Sequence, residues 1–229
     1  AITDALGAEN VTFDEQNAAG DSATCATICN GFVSSGVDLI LANATGALQA
    51  AAAATKDIPI LGTAVTEYGV ALGIDNFSGT VGGNISGTSD LAPLDQQAAM
   101  LTELFPDAKN VGIIYCSGEA NSVYQADVVK AALEKSGCTV NVYKFADTND
   151  VVSVTAAACD ANDVLYIPTD NTAASCAEAI KSAAKKPIIA GEEGICKGCG
   201  VATLSIDYYE LGRTTGEMAV KILKGEADI

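Results

Sequence analysis

Residues 110–137 read NVGIIYCSGEANSVYQADVVKAALEKSG. The first seven, NVGIIYC, form an apolar run of strand length. The stretch NSVYQADVVKAALEKSG that follows has helical spacing and closes on glycine. Between them lies a short polar junction, Ser117 to Ala120. A strand that stops at such a junction and feeds a helix is half of a strand–helix–strand unit.

The same alternation runs outward in both directions. Upstream, VTFDEQNAAG (residues 11–20) reads as a strand, and DSATCATICNGFVSSG as a helix with Ala26, Cys29, Phe32 and Val33 on one face. Gly36 ends that helix. VDLILANATG is a buried strand that leaves the core at Asn43, GALQAAAAATKD a helix, and IPILGTAV a strand. From Tyr68 to Gly87 the chain is rich in Gly, Asn, Ser and Thr and reads as a loop or crossing segment. A helix then opens with Pro93 in its first turn. Downstream, TVNVYKF, DVLYIPTD, PIIAG and GVATLSID read as strands. The helices between them are NDVVSVTAAACDAN and NTAASCAEAIKSAAKK, and YYELGRTTGEMAVKILKG is the last helix. Crossovers between parallel strands must return across a sheet face, so the pattern predicts an α/β fold with parallel sheets covered on both sides. Two series joined by a polar segment predict two such sheets. AITDALGAEN reads as the end of a helix with no strand before it, so the first strand of the first sheet is expected to lie outside this sequence.

Composition narrows function. Acidic residues outnumber basic ones 29 to 12, for a net charge of −17. That balance opposes binding to nucleic-acid phosphates and to anionic lipid, so no nucleic-acid partner is expected. The absence of histidine removes Ser-His and Cys-His nucleophile pairs and the commonest general base. No Walker A lysine motif, dinucleotide fingerprint or nucleophile elbow is present, so no catalytic residues and no cofactor are assigned. Eight cysteines admit three readings: small apolar or free thiols, disulfides of an exported protein, or metal ligands. The spacing of Cys25 and Cys29 fits zinc poorly, and Cys196 and Cys199 frame a turn in ICKGCG, so no metal site is assigned.

Ligands of open α/β sheets collect at the carboxyl ends of strands. Those ends deliver Asn43, Ala44 and Thr45, then Gly62, Thr63, Ala64 and Thr66, then Ser117, Glu119, Asn121 and Ser122, then Thr169, Asp170 and Asn171, then Glu192 and Glu193, and last Asp207 and Tyr208. The set is small, polar and rich in hydroxyls. The helix starts at Asn121-Ser122 and Asn171-Thr172 suit an anion, and Asp170, Glu193 and Asp207 suit an ammonium. Together they fit a zwitterion. Each residue taken singly has a competing role as a helix cap, and Glu119 reads as a solvated first-turn acid.

Several segments together resemble one family: ANATGALQAAAAATKDIPILGTAV, NISGTSDLAPLDQQAAMLTELFP, SGEANSVYQ, YIPTDNT, GEEG and ATLSIDYYELGRTTGEMAVKILKGE. They are similar to the substrate-binding component of bacterial ABC importers, in its tryptophan/tyrosine-type subgroup. The resemblance implies a type I periplasmic-binding-protein fold, with two Rossmann-like lobes and a hinge. Lobe one would hold residues 1–88 and 207–229, and lobe two residues 89–206. It implies capture of a small molecule, an aromatic amino acid, by a monomer that closes on it and presents it to an ABC permease. It implies an extracytoplasmic location, periplasmic or as a cell-surface lipoprotein. Carried over residue by residue, the resemblance implies ligand contacts at Thr45, Thr63, Ser117, Asn121, Ser122, Thr169, Asp170, Asn171, Glu193 and Asp207, all of them among those strand ends. A ligand-sensing domain of a receptor or regulator shares the fold and stands as the alternative, with an enzyme on the same scaffold third.

Overall fold

The computed structural model describes residues 1–229 and divides into two compact units, Ala1–Leu91 with Asp207–Ile229, and Ala92–Ile206. The first unit runs α1 (Ile2–Leu6), α2 (Ser22–Ser35), β1 (Ile40–Asn43), α3 (Thr45–Ala54), β2 (Ile60–Val65), α4 (Tyr68–Leu72) and β3 (Ile85–Ser89). The second runs α5 (Leu94–Leu104), β4 (Asn110–Cys116), α6 (Ala120–Lys135), β5 (Thr139–Phe145), α7 (Val151–Ala161) and β6 (Val164–Ile167). It continues through α8 (Asn171–Ser175), α9 (Ala177–Ala183), β7 (Ile188–Ala190), α10 (Glu193–Cys199) and β8 (Ala202–Thr203). The chain then returns to the first unit as α11 (Tyr208–Leu223).

Both sheets are parallel, as the alternation predicts, with order β1-β2-β3 in one and β5-β4-β6-β7-β8 in the other. β4 shows why an unbroken apolar run signals a sheet covered twice. Val111, Ile113 and Tyr115 pack with Leu101, Val129 and Leu133, from α5 and α6. Ile114 and Cys116 pack with Ala158, Ile180 and Ile195 on the opposite side. Each fully buried Leu or Ile contributes about 1.5–3 kcal/mol. In the first unit, Ile40, Leu48, Ala51, Ile60 and Val65 form one cluster, and Leu61 packs with Ile2, Ala219 and Val220 on the other side of β2.

Helix α2 follows its sequence signals. The Asp21 side chain accepts from Thr24 N at its start, and Gly36 closes it in the left-handed region at φ 66°. Cys29 is buried and Phe32 and Val33 half-buried, but Ala26 is exposed.

Five expectations fail locally. Residues 11–20 form no strand: Val11 packs beside Leu61, but residues 12–17 are exposed. There the Asp14 and Asn17 side chains take local hydrogen bonds from Gln16 Nε2 and Ala19 N, which compete with strand pairing. The segment from Tyr68 to Gly87 is not all loop. The Glu67 carboxylate caps α4 through Gly69 N and Val70 N, and β3 pairs with β2. ICKGCG lies within and just after helix α10 rather than a turn, because Glu192 caps that helix. The helix expected after Asn171 breaks in two at Cys176. The last strand shrinks to Ala202–Thr203. No helix is long and apolar enough to cross a membrane.

Candidate functional site

In the second unit the carboxyl end of the sheet is organised around residue 169. Ser122 and Gln125 are fully buried, and Asn121 is 5% exposed. The Asn121, Ser122 and Gln125 side chains all donate to the Thr169 carbonyl, at 3.1, 3.3 and 3.0 Å. Gln125 Oε1 accepts from Thr169 N at 3.1 Å. Three side chains from the first turns of α6 therefore fix the loop after β6. Thr169 keeps a half-buried side chain, whose hydroxyl donates to the Gly191 carbonyl at 3.4 Å. Gln125 escaped the sequence reading; its signal is the helical spacing of four from Asn121.

Asp170 is 1% exposed. Its Oδ2 accepts from Cys116 N and its Oδ1 from Ala173 N, both at 2.7 Å. It thus ties the end of β4 to the start of α8. Burial, and after it the neighbouring Glu119 carboxylate, push its pKa up to about 6, against the hydrogen bonds it accepts.

Glu119 is not a solvated acid. Its carboxylate accepts from Asn171 N and Nδ2, both at 3.0 Å, from Thr172 N at 2.8 Å and from the Thr172 hydroxyl at 2.7 Å. It caps α8 from a strand end 52 residues away. Burial opposes its charge, but these donors outweigh burial and hold its pKa below the ordinary carboxylate value. The N-terminus of α8, expected to receive an anion, is occupied by this side chain. Glu119→Ala is expected to cost about 1–2 kcal/mol at pH 7, the scale of a lost cap. A lower urea midpoint checks it, and the Asp170 pKa should fall as the neighbouring charge disappears.

Ser117 is exposed, and its hydroxyl donates to the Phe145 carbonyl at 3.2 Å. Asn171 is exposed as well. Glu193 is exposed and ion-paired with Lys197, while its N–H donates to Ser205 Oγ at 3.1 Å. All eight cysteines are free thiols, and no group of three or more Cys, Asp or Glu side chains is arranged to hold a metal ion.

In the first unit the strand ends carry threonines. Thr45 is buried at the first position of α3, and Thr63 is half-buried. Thr88 Oγ1 lies 2.7 Å from Thr215 Oγ1 and donates to Thr63 Oγ1 at 3.5 Å. Ala44 and Ala64 hold positive φ, at 78° and 51°, a cost tolerated where surrounding structure fixes the chain. Asp207 is exposed and caps α11 by accepting from Glu210 N at 3.1 Å. Asp90, not singled out in the sequence, is 2% exposed and accepts from the Tyr208 hydroxyl at 2.9 Å.

Comparison with known proteins places this arrangement. The profile of the family described as ABC transporter substrate binding protein matches residues 3–228. A curated tyrosine-binding protein of Clostridioides difficile (strain R20291) is 38% identical over 222 residues, which cover 96% of this chain and 64% of that protein. This chain therefore spans just under two thirds of that relative. The crystal structure of an ABC domain from Streptococcus pneumoniae in complex with L-Trp is 36% identical, with TM-score 0.90 over 98% of this chain and 79% of that one. A conserved domain protein from Vibrio cholerae is 33% identical, with TM-score 0.91 over 98% of this chain and 78% of the other. Paired parallel α/β units of this kind are the type I periplasmic-binding-protein fold. The chain belongs to the ABC transporter substrate-binding protein family.

Proposed function

We propose that this protein captures an aromatic amino acid, tyrosine or tryptophan, outside the cytoplasm and hands it to the membrane permease of an ABC importer. It works as a monomer whose two units, joined by a hinge, close on the ligand, and it performs no covalent chemistry. The observation that carries the reading is the identity of 36–38% to a protein named for tyrosine binding and to a domain solved with L-Trp. The strand ends support it. Thr63, Ser117, Thr169, Asn171, Glu193 and Asp207 keep exposed or half-exposed polar groups there, Thr45 is buried, and the buried Asn121, Ser122 and Asp170 hold the adjoining backbone. Seven tyrosines, five phenylalanines and no tryptophan leave few aromatic rings to stack on a sugar.

Thermal unfolding of the full-length protein against the twenty amino acids, a sugar panel and a nucleoside panel tests this. A ligand at about 100 times its Kd adds about 2.7 kcal/mol of stability. Stabilisation is expected with tyrosine, tryptophan or both. Stabilisation by a sugar or nucleoside alone would overturn the ligand class.

A further inference from the structure

A buried polar atom without a partner needs an explanation, and in the first unit one such atom is an acid oxygen. Asp90 Oδ1 is shut off from solvent and has no hydrogen-bond partner. Its sister Oδ2 takes the Tyr208 hydroxyl at 2.9 Å, and Asp90 N donates to the Val65 carbonyl at 3.2 Å. The Thr66 hydroxyl stands near enough to favour the carboxylate without completing a bond to Oδ1. Asp90 follows the end of β3, beside Val65 and Thr66 at the end of β2. It therefore lies at the carboxyl rim where this fold class gathers ligands.

The other acids at the strand ends are already engaged. Glu119 is saturated by Asn171 and Thr172, and both oxygens of Asp170 accept backbone N–H groups. Glu192 caps α10, Glu193 pairs with Lys197, Glu67 caps α4 and Asp207 caps α11. A zwitterionic ligand needs an acceptor for its ammonium, and one acid oxygen at these ends is both desolvated and unspent.

We propose that Asp90, through Oδ1, receives the ammonium group of the ligand. This rests on the amino-acid reading given above and names the residue that would select for the amine. Burial raises the Asp90 pKa, opposed by the Tyr208 and Thr66 hydroxyls, and a cation at Oδ1 compensates that burial. Asp90 stands one residue before the last residue of the first unit's opening segment, Leu91.

The test is calorimetric titration of full-length wild type and Asp90→Asn with L-tyrosine, L-tryptophan and their deaminated counterparts, 3-(4-hydroxyphenyl)propanoate and indole-3-propanoate. The variant is expected to weaken the amino acids about 30-fold or more, as truncation of a desolvated charge pair does. It should leave the propanoates within about twofold of their wild-type affinity, so that preference for the amine collapses. Unchanged amino-acid affinity, or equal loss for both classes, would overturn the assignment alone. Wild type that binds neither amino acid would overturn the amino-acid reading, and the assignment with it. If Asp90→Asn does not fold, the carbon resonance of the wild-type Asp90 carboxyl decides. Saturating amino acid should lower its titration midpoint, and an unmoved midpoint would refute the contact.

Discussion

Gly87→Ala is expected to destabilise the first unit by about 2–6 kcal/mol. Gly87 sits in β3 directly opposite Gly62 of β2. Its φ is 149°, a conformation L side chains rarely adopt. A Cβ built there runs into the Gly62 carbonyl oxygen and the Tyr68 hydroxyl, and lies 2.6 Å from Gly62 N. Two of these atoms are backbone and cannot swing aside. Gly62 is tight as well, since a Cβ there meets the Tyr68 hydroxyl and lies 3.0 Å from Tyr68 Cζ. The paired glycines leave room for the Tyr68 ring, whose hydroxyl donates to the Thr88 carbonyl at 3.0 Å. Overpacking of about 1–3 kcal/mol and backbone strain of about 1–3 kcal/mol act together at residue 87. Set against a typical stability of about 5–15 kcal/mol, the loss removes a large fraction of the unit's stability. Urea denaturation followed by fluorescence measures it. Gly31→Ala is the control: in α2, with nothing within 4 Å of its added Cβ, it should gain about 0.5–1 kcal/mol. Equal, small effects at both positions would show that the β2–β3 contact yields without cost.

That contact also shows where sequence reading stopped. NVGIIYC announces a strand because both its faces are buried, and α2 announces its limits with Asp21 and Gly36. These signals are local: apolar period, cap residue, terminal glycine. β3 carries none of them. ISGTS has one large apolar residue and a glycine, and it becomes a strand because β2 offers it a partner at Gly62. Residues 11–20 fail in the opposite sense, with a strand-like start but no ladder partner in the structure. The strand ends show the same division. Topology alone places Ser117, Thr63 and Thr169 there. Whether each polar group stays free depends on partners distant in sequence: Glu119 reaches Thr172, and Asp90 meets Tyr208 118 positions away. Residue type does not encode such pairings, which is why Glu119 reads as solvated and Asp90 attracts no notice.

Asp170→Asn is expected to leave the protein less stable than wild type near pH 4, with the difference shifting in the variant's favour by on the order of 3 kcal/mol towards pH 8. At first sight the substitution breaks a good arrangement, because both carboxylate oxygens accept backbone N–H groups. Burial and the adjacent Glu119 charge nevertheless raise the pKa from an ordinary 3.8 to about 6. A group whose folded pKa is raised stabilises fully below its unfolded value and loses that contribution as pH rises through the folded one. The wild-type protein should therefore lose stability between pH 3.8 and about 6, on the order of 3 kcal/mol at about 1.4 kcal/mol per pKa unit. Asparagine keeps one accepting oxygen, but its amide N–H2 only donates and sets a donor against Cys116 N or Ala173 N, which costs about 1–3 kcal/mol at every pH. It cannot ionise, so its stability curve lacks this slope. Comparing the two proteins by urea denaturation at pH 5, 6, 7 and 8 removes the contribution of Asp90, which shifts in the same direction and is common to both. Parallel pH profiles, with the variant lower throughout, would mean that the two N–H bonds dominate and that Asp170 ionises without cost. A difference that shifts in the variant's favour towards pH 8 would mean that the protein keeps a charged aspartate at a strand end against its own stability. The tie from Cys116 to Ala173 then serves to hold the loop around Thr169 in place rather than to strengthen the fold.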